Sequence, residues 1–396
     1  MHQAHVLFAG LLSLPLAFAP SDWPQYRGPD RNGISKETGW VAEGKEEPLW
    51  RINVGLGYSA VSVVDGRLYT MGHDEERGLD VVWCLDAETG EEIWTHTYAS
   101  EIWKKMHSGG TLTTPSVDGD LVYTTNREGS FFCLDAKTGK VRWSKQLKDE
   151  LGLELPTWGL GASPLVLDDM MILNVGPVVA MKRRTGEVIW KSSDYGHAYS
   201  TPFDFELDGK PCLASFGGKG LAILDRSDGS ELWFHEWKTM YDINAMTPVV
   251  FDGKVFISSG LGHGAALLKM GGDELEVLWE TRKMRNKMSG CVLIGGNFYG
   301  FDETMLACIG PDGEEQWRMR AIKNGALTAA DGKLLIVNSH GELIVAEATP
   351  EEFRELSRVA VLDGGINWTT PILVNGLIYV RNNEGDLACL DHRAEQ

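Results

Sequence analysis

The side chains that could do chemistry in this chain of 396 residues are easy to find but do not assemble into a reaction. Its six cysteines, Cys84, Cys133, Cys212, Cys291, Cys308 and Cys389, include no adjacent pair and no CxxC spacing. The latter is the arrangement that lets two thiolates reach one zinc ion. Cys84, Cys133, Cys308 and Cys389 recur at a single position of an internal repeat. A small buried side chain belongs there, a place cysteine fills well, so structural disulfides are not expected. A calcium site would need several oxygen ligands converging from separate segments. The aspartates fall mainly in Leu-Asp-Ala and Asp-Gly steps that turns explain, so no metal ligand is assigned. No Ser-His-Asp, zinc or phosphate-loop motif is present, so no catalytic residue is assigned either. What remains is a set suited to binding: His107, Trp158, His197, Tyr199, Asn244 and Trp368. Most of these pair apolar area with a hydrogen-bonding tip, as anchors of binding sites do.

Whether those six meet depends on the elements that carry them. The chain is punctuated by one motif, clearest in Cys133–Trp143, CLDAKTGKVRW. Cys84–Trp94 reads CLDAETGEEIW, Ala180–Trp190 reads AMKRRTGEVIW and Ile223–Trp233 reads ILDRSDGSELW; a shortened copy, CIGPDGEEQW, ends at Trp317. Each copy is an apolar strand, a turn whose glycine supplies positive φ, and a short strand bearing one tryptophan. Trp50, Trp94, Trp143, Trp190, Trp233, Trp279 and Trp317 are separated by 44, 49, 47, 43, 46 and 38 residues. Repeats of about 40–50 residues built from several strands are the signature of a propeller. The tryptophans are therefore expected to be structural, docking each unit onto the next.

Each unit opens on an inner strand A, usually after a Ser/Thr-Pro step such as Thr114-Pro115, Thr201-Pro202 or Thr370-Pro371. An Asp-Gly turn such as Asp65-Gly66 leads to strand B; strand C, the Thr-Gly turn and the tryptophan strand D follow. Eight A strands and eight C strands are legible, but only seven D strands follow their own C strands. Upstream of the first A strand, Glu47–Arg51 supplies the missing one. The expected fold is all-β, an eight-bladed propeller of four-stranded antiparallel blades over residues 47–393, its ring closed by an N-terminal strand. Closure removes the raw edge that an open array would present. Blade 7 lacks the glycine turn and has Leu356 or Val359 where a tryptophan is due.

Residues 1–19 read as a signal peptide, with an apolar run from Val6 to Ala19 and Ala17-Phe18-Ala19 as a cleavage site. Residues 20–46, with Trp23, Tyr26 and Trp40, read as an extended arm laid over the propeller. Export places the protein in a periplasm or outside the cell. The apolar run is too short to span a bilayer. The net charge of −19 argues against nucleic acid and anionic membrane surfaces as partners.

The motif A-x-D-x-x-T-G-x-x-x-W resembles the docking motif of quinoprotein-like (PQQ-repeat) β-propellers, across essentially the whole body of the chain. The resemblance implies that Trp94, Trp143, Trp190 and Trp233 stack on backbone of the adjoining blade. It also implies one of two activities. Quinoprotein dehydrogenases of this class hold pyrroloquinoline quinone with a calcium-class metal near the ring axis; BamB-type propellers are cofactor-free scaffolds. The alcohol dehydrogenases carry two adjacent cysteines beside the quinone, and this chain has no such pair. The expectation is a monomeric binding or scaffold protein without a cofactor, taking a protein, small-molecule or glycan ligand. A quinone- and calcium-dependent alcohol or sugar dehydrogenase is the alternative.

Topology says where binding would occur. In an up-and-down blade the A–B and C–D turns share one face of the disc, and the D–A and B–C connections share the other. The first face is committed to tight glycine turns. The second receives Ser100–Thr111, Lys148–Ala162 and an expected B–C loop over Gly72–Asp80, together with the six candidate residues. Long ordered loops are where function tends to sit.

Overall fold

The computed structural model describes residues 22–105, 107–197 and 199–394. The expected signal segment, 1–19, lies outside the described residues. Eight antiparallel sheets follow one another around a ring, each in the order A-B-C-D. Blade 1 is typical: Ser62–Val64, Arg67–Asp74, Leu79–Asp86 and Glu92–Ala99. Its A–B turn places Asp65 at φ 49° and Gly66 at φ 70°, the doubly left-handed pair a type I′ hairpin requires. Blade 8 consists of Ile372–Val374, Leu377–Arg381, Asp386–Asp391 and, from the other end of the chain, Trp50–Asn53. Trp50 faces Cys389 and Asn53 faces Asp386, so the N-terminal strand closes the ring as the repeat count demanded.

The core is eight cores. Successive residues of a strand point to opposite faces, so each blade buries one face against the blade before it and the other against the blade after it. In blade 1, Cys84 packs with Val122 and Leu134 of blade 2, whereas its neighbour Leu85 packs with Tyr379 and Leu387 of blade 8. All six cysteines are buried and unpaired. Burial pushes the thiol of Cys84 up to about 11 and those of Cys133, Cys308 and Cys389 up to about 12, which leaves them unreactive.

The docking tryptophans bolt these seams. Each donates its indole N–H to the backbone just after strand C of the next blade: Trp50 to Ala87 (3.2 Å), Trp94 to Ala136 (3.0 Å), Trp143 to Arg183 (3.1 Å) and Trp190 to Arg226 (3.1 Å). Trp233, Trp279 and Trp317 do the same to Gly272, Pro311 and Thr349. Several rings lie flat on the turn glycine of that next blade. A Cβ at Gly139 would sit 2.5 Å from Trp94, and one at Gly229 would sit 2.4 Å from Trp190. The glycine of the motif thus serves its own turn and its neighbour's tryptophan.

A second set of bonds runs inside the first as an arc over blades 1 to 4, built mainly from the Ser/Thr-Pro steps; among the described residues the equivalent hydroxyls of Thr247 and Thr370, in blades 5 and 8, have no partner. The Ala60 N–H donates to Thr114 Oγ1 (3.1 Å), that of Thr114 to Ser163 Oγ (2.9 Å) and that of Ser163 to Thr201 Oγ1 (2.9 Å). Ser62 Oγ and Thr328 Oγ1 donate to the proline carbonyls of Pro115 and Pro371 in the following blades.

Three local expectations are corrected. In blade 7 the docking position belongs to neither Leu356 nor Val359. The register that pairs Trp94 with Cys84 pairs Ser357 with Val345. Ser357 Oγ donates to the Ala42 carbonyl of the arm (2.6 Å), and Trp40 of the arm fills the seam between blades 7 and 8, among Leu335, Val345, Ile378 and Leu390. The expected B–C loop Gly72–Asp80 is mostly strand. Strands B and C continue to Asp74 and Leu79 because His73 and Asp80 face each other as a buried pair, Nδ1 to Oδ1 2.8 Å. The expected loop Lys148–Ala162 begins inside a short helix, Leu147–Leu151, closed by Gly152 at φ 64°. Finally, Ile34–Ser35 of the arm adds a fifth, parallel strand to the inner edge of blade 7.

Candidate functional site

The D–A segments converge at the ring axis around a cavity of about 130 Å³. One repeat position does most of the lining, two residues ahead of the place that the Ser/Thr of the Ser/Thr-Pro step holds in most blades, and Ala60 and Gly290 hold in blades 1 and 6. It holds Tyr58, Leu112, Gly161, Tyr199, Ala245, Met288 and Trp368 in blades 1 to 6 and 8. Thr114, Ser163 and Thr201 of the inner hydrogen-bonded arc, with His107 and Trp158 from the two long segments, complete most of the wall. Among the described residues no Asp, Glu, Lys or Arg contributes to it. A neighbouring hollow behind Met288 and Trp368 contains one cation, Lys287, and one carboxylate, Glu303.

Four of the six candidate residues meet here. His107 and Trp368 stand on one side with Tyr58, whose ring stacks on Trp368 at 4.8 Å and meets His107 edge-on at 5.4 Å. Trp158 and Tyr199 stand together with ring centroids 6.2 Å apart, and the exposed Tyr241 approaches the same indole at 6.3 Å. The other two candidates do not line the cavity. Asn244 is fully buried and ties strands together, donating to the carbonyls of Gly217 (2.8 Å) and Trp237 (3.2 Å) and accepting from Ser259 (2.6 Å). His197 packs its backbone against Gly218. Tyr58, Met288 and Tyr26 were missed. Tyr58 and Met288 carry no local signal, because Ala60-Val61 and Gly290-Cys291 stand in their blades where others have Ser/Thr-Pro; only the strand register of the repeat places them.

The loops are braced. Arg127, 2% exposed, donates to the backbone of Trp103 and Gly110 on either side of His107, and its own carbonyl accepts from the Leu160 N–H (2.9 Å). The Trp158 indole N–H donates to the Lys105 carbonyl (3.0 Å), joining the two long segments. Tyr58 OH lies 3.1 Å from Ser108 Oγ, which also accepts from Asn383 (2.8 Å). Burial, assisted by the charge of Arg127, lowers His107 to about 4. Its Nδ1 accepts the Gly109 N–H (3.0 Å), so the neutral ring carries its proton on Nε2. Burial holds the Tyr199 phenol up at about 12; its hydroxyl nears the Trp158 backbone without meeting hydrogen-bond geometry.

Tyr26, from the arm, lines the cavity as well. The arm crosses the ring at the opposite, A–B end. Trp23 pairs with Val63 of blade 1, and Arg27 donates to the Cys291 carbonyl of blade 6 (2.7 Å). Arg31 meets Asp204 of blade 4 (3.3 Å), and the Glu37 carboxylate accepts from the Gly376 N–H of the blade 8 turn (2.9 Å). Tyr26 lies deep within the ring yet keeps part of its surface open to the cavity. The axial channel is thus stopped at one end by the arm.

The sequence pattern of the family described as outer membrane protein assembly factor BamB matches residues 78–318. The chain belongs to that family. The ring is shared with solved structures at low identity. BamB from Moraxella catarrhalis is 18% identical with a TM-score of 0.64, covering 88% of this chain and 98% of its own. Quinohemoprotein alcohol dehydrogenase from Comamonas testosteroni is 14% identical with a TM-score of 0.70, covering 95% of this chain and 81% of its own. A europium-containing methanol dehydrogenase, 11% identical, has a TM-score of 0.67, covering 93% and 88%. No curated protein matches the sequence. These likenesses establish the propeller fold, which an assembly factor and dehydrogenases share. No described helix is long and apolar enough to cross a membrane.

Proposed function

We propose that the protein is an exported, non-catalytic binding propeller that holds a partner against its D–A/B–C face, a scaffold in kind with the assembly factor that names its family. One observation carries the reading: the axial site is walled by aromatic and hydroxyl groups and holds no charged side chain. A quinone bearing several carboxylates needs cations to receive it, since a buried charge without a partner is strongly disfavoured. Among the described residues no three His, Cys, Asp or Glu are grouped to hold a metal. The residues present therefore do not fit the quinone–calcium pair, and no step is routed through it. Exposed Tyr241, edge-on to Trp158, adds apolar area beside the cavity, the kind of surface on which a partner seats.

The test compares two double variants in pull-down of a partner. His107→Ala/Trp158→Ala should lose binding with thermal stability nearly intact. Lys137→Ala/Lys140→Ala, on exposed turns of the opposite face, should keep it. Loss of binding by the second pair alone would place the interface on the wrong side. The dehydrogenase reading has the fold likeness in its favour. It would prevail if the purified chain, given pyrroloquinoline quinone and calcium, gained a bound-quinone absorbance and reduced a dye with alcohol.

A further inference from the structure

We infer that the axial cavity is a socket for one uncharged aromatic ring, such as a phenol or an indole. The inference takes its location from the reading of the D–A/B–C face and adds the chemistry of what enters. Size is the first argument. The cavity measures about 130 Å³, and an apolar cavity of roughly 150 Å³ accepts benzene. The walls are the second. The stacked pair Tyr58–Trp368 and the pair Trp158–Tyr199 offer ring faces and edges. Aromatic rings prefer to meet further rings offset or edge-on, at centroid separations of about 4.5–7 Å.

The polar inventory excludes other ligand classes. A carboxylate or ammonium group would lose its water and meet no counter-charge on the lining. A sugar would bring many hydroxyls, yet Thr114, Ser163 and Thr201 each spend an acceptor site on a backbone N–H of the inner arc and are almost wholly buried. The Tyr58 hydroxyl is paired with Ser108. Most sugar hydroxyls would go unmatched, at a cost in affinity. His107 offers a single donor: its Nδ1 is occupied by the Gly109 N–H, and among the described residues nothing accepts from its Nε2–H. One donor suits one acceptor, as on a phenol. Tyr26 sets the depth, so the arm decides that the socket takes one ring and not two.

The experiment uses the full chain and calorimetric titration, with p-cresol as a free ring and N-acetyltyrosinamide as a ring borne on a peptide unit. Methyl glucoside and pyrroloquinoline quinone serve as comparison probes. A ring that fills the socket should bind with a dissociation constant on the order of 0.1–1 mM. Ala245→Trp, which fills the wall, should weaken it at least about tenfold with an unchanged melting temperature. Met288→Asp, which places a carboxylate on the same wall, carries the same expectation should the first variant fold poorly. Tyr26→Ala should shift preference from p-cresol toward 2-naphthol. Binding of p-cresol alone supports a free small molecule as the occupant; binding of the tyrosinamide alone supports a side chain presented by a partner. The socket is refuted if neither ring saturates, if both wall variants leave ring binding unchanged, or if the sugar or the quinone binds more tightly than both rings. No partner enters this titration, so its failure leaves the assignment of the face standing. Loss of a partner through the opposite-face variant alone would overturn the face and leave the socket intact.

Discussion

Trp40→Ala tests whether the arm is a structural member of the ring. Seven seams of the propeller carry a docking tryptophan, and the seam between blades 7 and 8 has Ser357 in its place. Trp40 occupies that seam, 4% exposed. A buried tryptophan removes about 150–250 Å² from water, which at about 25 cal/mol per Å² amounts to ~4–6 kcal/mol. Alanine keeps a small part of that. The Trp40 indole N–H has no partner, so no hydrogen bond is lost, while Lys333 stands 5.1 Å from the ring and adds about 0.5–1 kcal/mol. The expected cost is about 3–5 kcal/mol, as for other buried tryptophan truncations. Trp94→Ala should cost the same. Its hydrogen bond matters little, because the Ala136 carbonyl keeps bonds from Arg67 (3.0 Å) and Tyr69 (3.3 Å). Trp103→Ala, on a loop, should cost less than about 1 kcal/mol. Urea unfolding followed by circular dichroism, with the denaturant slopes compared, gives all three. If Trp40→Ala behaves like Trp103→Ala, the arm merely lies on the ring and the account of the eighth seam is wrong.

Other perturbations probe the remaining joints. Deleting residues through Val54 removes the strand that completes blade 8 and should promote association by exposing its edge; a monomeric truncation with an unchanged melting temperature would contradict closure. Gly229→Ala places a Cβ 2.4 Å from Trp190 at a backbone φ of +74°, and should cost about 2–4 kcal/mol in the same urea assay. Arg127→Met removes one of the two causes that hold His107 near 4; a nitrogen-detected titration should show that pKa rising but staying below its ordinary value, because burial is the larger cause. A group whose folded pKa is depressed contributes stability above its unfolded value that is lost as pH falls through the folded one. Between about pH 6.5 and 4 the unfolded chain therefore takes up the His107 proton before the folded one does, and His107→Gln should flatten the fall in stability over that window.

The ring was legible because its determinants are local and repeated. Within a dozen residues the motif states a strand, a turn glycine and a tryptophan, and the chain repeats it until the count of D strands falls one short. The Asp-Gly steps named their turns for the same reason. What did not show was non-local. Trp40 belongs to no repeat, and nothing near Ser357 signals that a residue more than three hundred positions upstream will fill its seam. Gly72–Asp80 read as a loop because glycine and charge are loop signals, whereas a buried His73–Asp80 pair holds the strands together. Asn244 looked like a ligand contact because a polar side chain at a loop end has two uses; only its four partners, Gly217, Trp237, Thr239 and Ser259, reveal which applies.

The two faces of the disc divide the work by what each does with its hydrogen bonds. On the A–B/C–D side, turn glycines, docking tryptophans and the arm are mutually consumed: a change at Gly139 disturbs Trp94, and the turn at Gly376 is tied to Glu37. That side is fixed by the requirement to close a ring. On the D–A side the backbone is also tied, through Arg127, Asn244 and the inner hydroxyl arc, but these ties do not use the repeat position that faces the axis. The side chains at the repeat position facing the axis are left free to vary without loosening a blade, and they do vary, from Gly161 to Trp368. Sequence freedom on a rigid frame is the condition under which one fold can host both a scaffold and an enzyme. In this chain that freedom has produced a wall of aromatic rings and hydroxyls, held in place before any partner arrives. Preorganised walls of that kind lose little conformational entropy on binding, so the contribution of the site lies in the ring it can accept.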